Sequence, residues 1–66
     1  MHFTIENMNC EGCAKGVTAA VRNADPAARV EVRLDRKEIA VSGGNSDPGT
    51  LANALQAAGW KAQAAA

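Results

Sequence analysis

Val30-Glu31-Val32-Arg33-Leu34-Asp35-Arg36-Lys37-Glu38-Ile39-Ala40-Val41 is the stretch on which the fold turns. Val30, Val32 and Leu34 alternate with Glu31 and Arg33, and after Asp35-Arg36 a second alternation places Ile39 and Val41 on one face. Period-two alternation on both sides of a short polar turn predicts a hairpin of two half-buried strands. Before it, Ala14, Val17, Val21 and Ala24 recur at helical spacing, and Pro26 disfavours helical geometry at Asp25, so a helix of about three turns stops near Ala24. Further back, Phe3 and Ile5 alternate with polar neighbours from His2 to Glu6, the pattern of a first strand. After the hairpin, Gly43-Gly44-Asn45-Ser46 breaks the chain, Asp47 is placed to cap a helix and Pro48 suits its first position. Leu51, Ala54, Leu55 and Ala58 supply that helix's apolar stripe, Gly59 terminates it, and a last short strand runs from Trp60 to about Gln63.

Strand, helix, strand, strand, helix, strand is the order of the α+β ferredoxin-like β-α-β-β-α-β unit, a four-stranded antiparallel sheet with two helices on one face. At 66 residues the chain forms a single domain, 1–66. The expected core is Phe3, Ile5, Val17, Val21, Val30, Val32, Leu34, Ile39, Val41, Leu51, Leu55 and the edge residue Trp60. Each full burial contributes about 1.5–3 kcal/mol, against an ordering cost of about 1.5 kcal/mol per residue. The metal-free chain is therefore expected to be only modestly stable.

Composition excludes several functions. So short a chain has no room for a large substrate cleft, which argues against an enzyme. Seven Lys plus Arg balance seven Asp plus Glu, and Phe3 and Trp60 are the only aromatics, so neither a basic field nor a base-stacking platform exists for nucleic acid. No apolar stretch reaches the length of a signal core or membrane span, which points to a cytoplasmic protein without direct membrane insertion.

Chemistry concentrates in Met8-Asn9-Cys10-Glu11-Gly12-Cys13, which holds both cysteines between the first strand and the first helix. A C-x-x-C pair serves as a redox disulfide, as half of a zinc site, or as a complete two-coordinate site for a thiophilic ion such as Cu(I). In a reducing compartment the thiols stay free, and a bridge across two intervening residues is a weak staple. Cys13 falls in the first helical turn and Cys10 just before it, so the sulfurs converge where the helix dipole favours thiolates and lowers thiol pKa values. A dithiolate holding one Cu(I) carries a single negative charge, which suits the same helix end. Structural zinc wants four ligands, and the chain offers two cysteines plus His2, which lies on the far side of the first strand on an exposed phase, so a closed zinc site would need a second molecule.

The motif Met8-x-Cys10-x-x-Cys13 in this position resembles the heavy-metal-associated domain of small cytosolic bacterial copper chaperones and of copper ATPases. The similarity extends over nearly the whole chain, through the Val30-x-Val32 strand and the Leu55-Gln56-Ala57-Ala58-Gly59-Trp60 helix exit. It implies one Cu(I) per chain on Cys10 and Cys13, and delivery to the metal-binding domain of a copper-transporting P-type ATPase. The chain is expected to be a monomer when apo, with a copper-bridged dimer open to it because two exposed dithiol sites can share an ion. Carriage of Hg, Zn or Cd, and a small thiol-disulfide redox protein, are the alternatives. The chain departs from the family at Trp60, where tyrosine or lysine is common, and at Asn9, where threonine or serine is frequent.

Around the motif, Met8 is read as packing beneath the loop rather than as a thioether ligand. Gly12 serves a tight turn or a partner's close approach, or is simply a loop glycine. Trp60 either shields the thiolates or fills the core edge, and Lys61 is placed to offer its ammonium to the anionic site. Lys15 and Arg22 are candidate contacts for an acidic acceptor, Glu11 and Lys15 being otherwise a solvated face. The Met start and the short Ala64-Ala65-Ala66 tail suggest a free-standing protein.

Overall fold

The computed structural model describes residues 1–65; Ala66, the end of the tail named above, lies outside the described residues. Strand β1 (His2–Ile5), helix α1 (Glu11–Ala24), strands β2 (Arg29–Arg33) and β3 (Glu38–Ser42), helix α2 (Pro48–Ala57) and strand β4 (Ala62–Ala65) follow in the expected order. They form one four-stranded antiparallel sheet in the order β2-β3-β1-β4. Phe3 stands opposite Ile39 and Ala64, and Ile39 opposite Val32, so a single apolar row crosses the sheet.

Local chemistry explains the helix boundaries. Asp47 caps α2 by accepting the Thr50 N–H at 2.7 Å, with Pro48 in the first turn. At the other end Gly59 takes a left-handed φ of 95°. Its N–H donates to Gln56 C=O and the Trp60 N–H to Leu55 C=O, the paired bonds of a Schellman motif. Helix α1 ends at Ala24, as Pro26 requires, and extended Asp25 caps it.

Phe3, Ile5, Val17, Val21, Ile39, Val41, Leu51 and Leu55 are buried, joined by Met8, Ala28 and Ala62. Val30, Val32 and Leu34 are only half-buried, a correction to the expected core, while Trp60 is half-buried against its edge as expected. The reason is position: β2 is an edge strand, so its inward residues lie at the margin of the helix layer. Leu34 has left the strand for a 3₁₀ turn, Leu34–Arg36, closed by Lys37 at φ 55°. The last strand begins at Ala62 rather than Trp60, because the Schellman turn occupies Gly59 and Trp60.

Away from the motif, Asp25 is 5% exposed and ties down the β3–α2 connection. Its carboxylate accepts N–H bonds from Asn45 (2.6 Å), Ser46 (2.9 Å) and Ala27 (3.3 Å). A Cβ on Gly44 would collide with this carboxylate, so glycine is needed there to let the loop close over it.

Candidate metal centre

The chain leaves β1 at Ile5 and reaches α1 through a tight loop. Glu6 N–H still pairs with Lys61 C=O at 3.1 Å, and Met8 N–H turns back to Ile5 C=O at 3.1 Å. Met8 is fully buried, as the packing reading expects, so its thioether lies in the core beneath the loop. The buried side chain pins the loop from below and leaves Asn9 and Cys10 exposed.

Cys10 is the N-cap residue of α1, with extended backbone (φ −153°, ψ 170°), and its carbonyl accepts the Ala14 N–H at 3.0 Å. Its sulfur takes the place of the usual capping oxygen, accepting the Cys13 N–H at 3.4 Å. Cys13 stands in the first turn and is half-buried. The two sulfurs meet at 3.1 Å, the Cys10 thiol donating to Cys13. Both cysteines are free.

The Cys13 thiol is held below its ordinary pKa, first by hydrogen bonding from the Asn9 backbone and next by the Cys10 side chain, with partial burial opposing them. A helix N-terminus acts in the same direction, since its aligned N–H groups favour negative charge. A soft sulfur whose charged form is favoured is therefore presented at a positive helix end, with a second, exposed sulfur beside it. That pair can grip one thiophilic ion from a single side and leave the opposite side open.

Among the described residues no group of three or more His, Cys, Asp or Glu side chains converges to hold a metal. His2 is exposed on β1, as its phase indicated. Gly12 lies within α1 without a left-handed φ, so the tight-turn reading fails there. A Cβ at Gly12 would stand 3.8 Å from the Cys10 sulfur, so glycine leaves that flank of the thiol bare. Trp60 lays its ring on Gly16, where a Cβ would come within 2.8 Å of Cζ2, and this packing supports the core-edge reading. Lys61 is exposed, and its N–H donates to Asn7. Lys15 and Arg22 flank an open groove with Glu11, Thr18 and Val32.

Sequence reasoning passed over Asn7 and Gly16. Asn7 contacts residues more than fifty positions away, and Gly16 owes its role to a ring from the far end of the chain. A glycine inside a helical pattern was the one available signal, because it costs stability unless something packs against it.

The heavy-metal-associated domain model matches residues 2–61. The copper chaperone Atx1 from Synechocystis, in a trimeric copper form of a point variant, superposes with a TM-score of 0.89 at 32% identity, covering 96% of this chain and 98% of that one. A gold binding protein superposes with a TM-score of 0.89 at 30% identity, over 96% and 95% of the two chains. Atu1203 of Agrobacterium tumefaciens follows at 0.79 and 32% identity, over 91% and 92%. No curated protein matches the chain by sequence.

Proposed function

The chain belongs to the heavy-metal-associated domain family, and from that premise we propose that it is a Cu(I) carrier, 1–66 acting as one unit, that binds one ion between Cys10 and Cys13. The observation that carries this reading is the convergence of an exposed and a half-buried sulfur at 3.1 Å on the start of α1. Two soft donors without a third converging ligand among the described residues suit two-coordinate Cu(I) better than zinc, which favours four. Similarity to a copper chaperone and to a gold binding protein supports a thiophilic metal cargo. The protein is a carrier rather than a catalyst, works in the cytoplasm, and is monomeric when apo. In a copper-bridged dimer, two such faces share an ion.

Delivery goes by ligand exchange to the metal-binding domain of a copper-transporting P-type ATPase. An acceptor thiolate attacks the open side of the ion, and the exposed Cys10 leaves first while helix-held Cys13 leaves last. Cys10→Ser and Cys13→Ser variants with equal residual transfer rates would count against this order. The acceptor docks beside the motif, where exposed Lys15 and Arg22 meet an acidic face. Charge reversal at both sites then changes the salt dependence of transfer; an unchanged dependence places docking elsewhere.

The deciding experiment is an anaerobic titration of reduced protein with Cu(I) against a chromogenic chelator, with Zn(II) in parallel. One tightly held Cu(I) per chain, unmoved by zinc, is the expected result. A preference for zinc transfers the reading to another metal. The short sulfur contact also favours a second reading, thiol-disulfide exchange, which an insulin-reduction assay separates from carriage.

A further inference from the structure

Asn7 has no part in the chemistry above, yet it is where the metal loop leaves the sheet. Main-chain pairing between β1 and β4 runs to Ile5 and Ala62 and one bond further, from Glu6 N–H to Lys61 C=O. At that point the main chain turns inward to bury Met8, and the carboxamide of Asn7 replaces the peptide group that would have continued the ladder. Its Oδ1 accepts the Lys61 N–H at 2.8 Å and its Nδ2 donates to Gly59 C=O at 3.1 Å. One planar group thus holds the backbone on both sides of Trp60. The Trp60 ring in turn lies against Gly16, three residues beyond Cys13 on the helix that Cys10 caps.

We infer that Asn7 is the positioning residue of the metal loop: by clamping it to the Trp60 turn, it keeps Cys10 and Cys13 convergent before an ion arrives. The chemistry calls for this residue type, because a carboxamide supplies a donor and an acceptor together, whereas a carboxylate would only accept and would face the Gly59 carbonyl. The consequence for metal rests on the carrier reading above. Groups hydrogen-bonded directly to metal ligands typically change affinity about 10–100-fold when removed, and Asn7 acts one step further out, through the loop and the Trp60 turn.

A matched control exists in the same turn. Gln56 Nε2 donates to Ala62 C=O at 3.1 Å, joining α2 to β4 without touching the metal loop. The test compares Asn7→Ala with Gln56→Ala by Cu(I) competition titration, melting temperature and Trp60 emission of the metal-free protein. Asn7→Ala is expected to weaken Cu(I) binding about tenfold, the low end of that range, and to shift metal-free Trp60 emission to longer wavelength. Gln56→Ala is expected to lower the melting temperature while holding copper as the parent does. Unchanged copper affinity in Asn7→Ala, or an equal loss in both variants, overturns the inference. Asn7→Ser, polar but too short to span both peptide groups, makes the same comparison if the alanine variant does not fold. If the parent protein takes up no Cu(I), the carrier reading fails. The same pair of variants is then titrated with Hg(II), which decides the clamp by the same two outcomes.

Discussion

At the C-terminal end of α1 the Asp25 carboxylate is buried and takes three backbone N–H groups, while at the N-terminal end the Cys10–Cys13 pair stays partly open to solvent. Both ends set an acid among peptide donors, and both acids are stabilised in their charged form, with Asp25 and Cys13 held below their ordinary pKa values. The difference lies in what remains unoccupied. Around Asp25 the bonds from Ser46, Asn45 and Ala27 complete the coordination and lock a loop. Around Cys13 the neighbouring donor is another thiol, which an ion can displace. One helix therefore carries a structural carboxylate at one end and an exchangeable thiol pair at the other.

The largest effect is expected from removing the exchangeable site. Cys10→Ser/Cys13→Ser should abolish tight Cu(I) binding while leaving the circular dichroism spectrum and melting temperature close to those of the apo parent. A large loss of stability in this variant would show the two ends to be alike after all. Next, Cu(I) at about a hundredfold excess over its dissociation constant should stabilise the parent by about 2.7 kcal/mol. That corresponds to a rise in melting temperature on the order of 10 °C, absent from the double variant. Calorimetry with and without metal reads it, and identical melting temperatures would contradict the carrier reading.

Smaller effects come from the locked end. Asp25→Ala frees the Asn45 and Ser46 N–H groups and should lower the melting temperature by about 5–10 °C. Cu(I) affinity should stay within twofold, since Asp25 and the motif stand at opposite ends of α1. A matching loss of affinity would reveal that the helix transmits strain between them. The smallest effect is on acid stability. Asp25 has a lowered folded pKa, chiefly through the Ser46 N–H with burial opposing. Its contribution is therefore complete above the unfolded carboxylate value of about 3.9, and is lost as pH falls from there through the lower folded value. Asp25→Asn should flatten the stability profile in that acid window and leave its slope at neutral pH alone, as measured by denaturant midpoints across pH.

How much could be read in advance follows the range of each interaction. The motif, the Asp47-Pro48 helix start, the Pro26 stop and the Gly59 exit were legible because each depends on groups a few residues apart. The hairpin was legible in outline, yet Leu34 was read as strand, because alternation continues into a 3₁₀ turn closed by left-handed Lys37. The half-burial of Val30 and Val32 was hidden, since their apolar character says nothing about whether their strand is central or at the edge.

By itself, then, the sequence determined the order of the elements, the helix termini and the pairing of two thiols at a helix start. These rest on periodicity, capping and backbone restriction, which act within a few residues. Only the tertiary structure decided that Asn7 grips the peptides around Trp60, that Gly16 receives its ring and that Asp25 holds Asn45 and Ser46. Those contacts join residues 20 to 54 positions apart. Nothing local encodes them, because a polar side chain can satisfy its hydrogen bonds with water until packing of the sheet and helices brings a particular peptide group within reach.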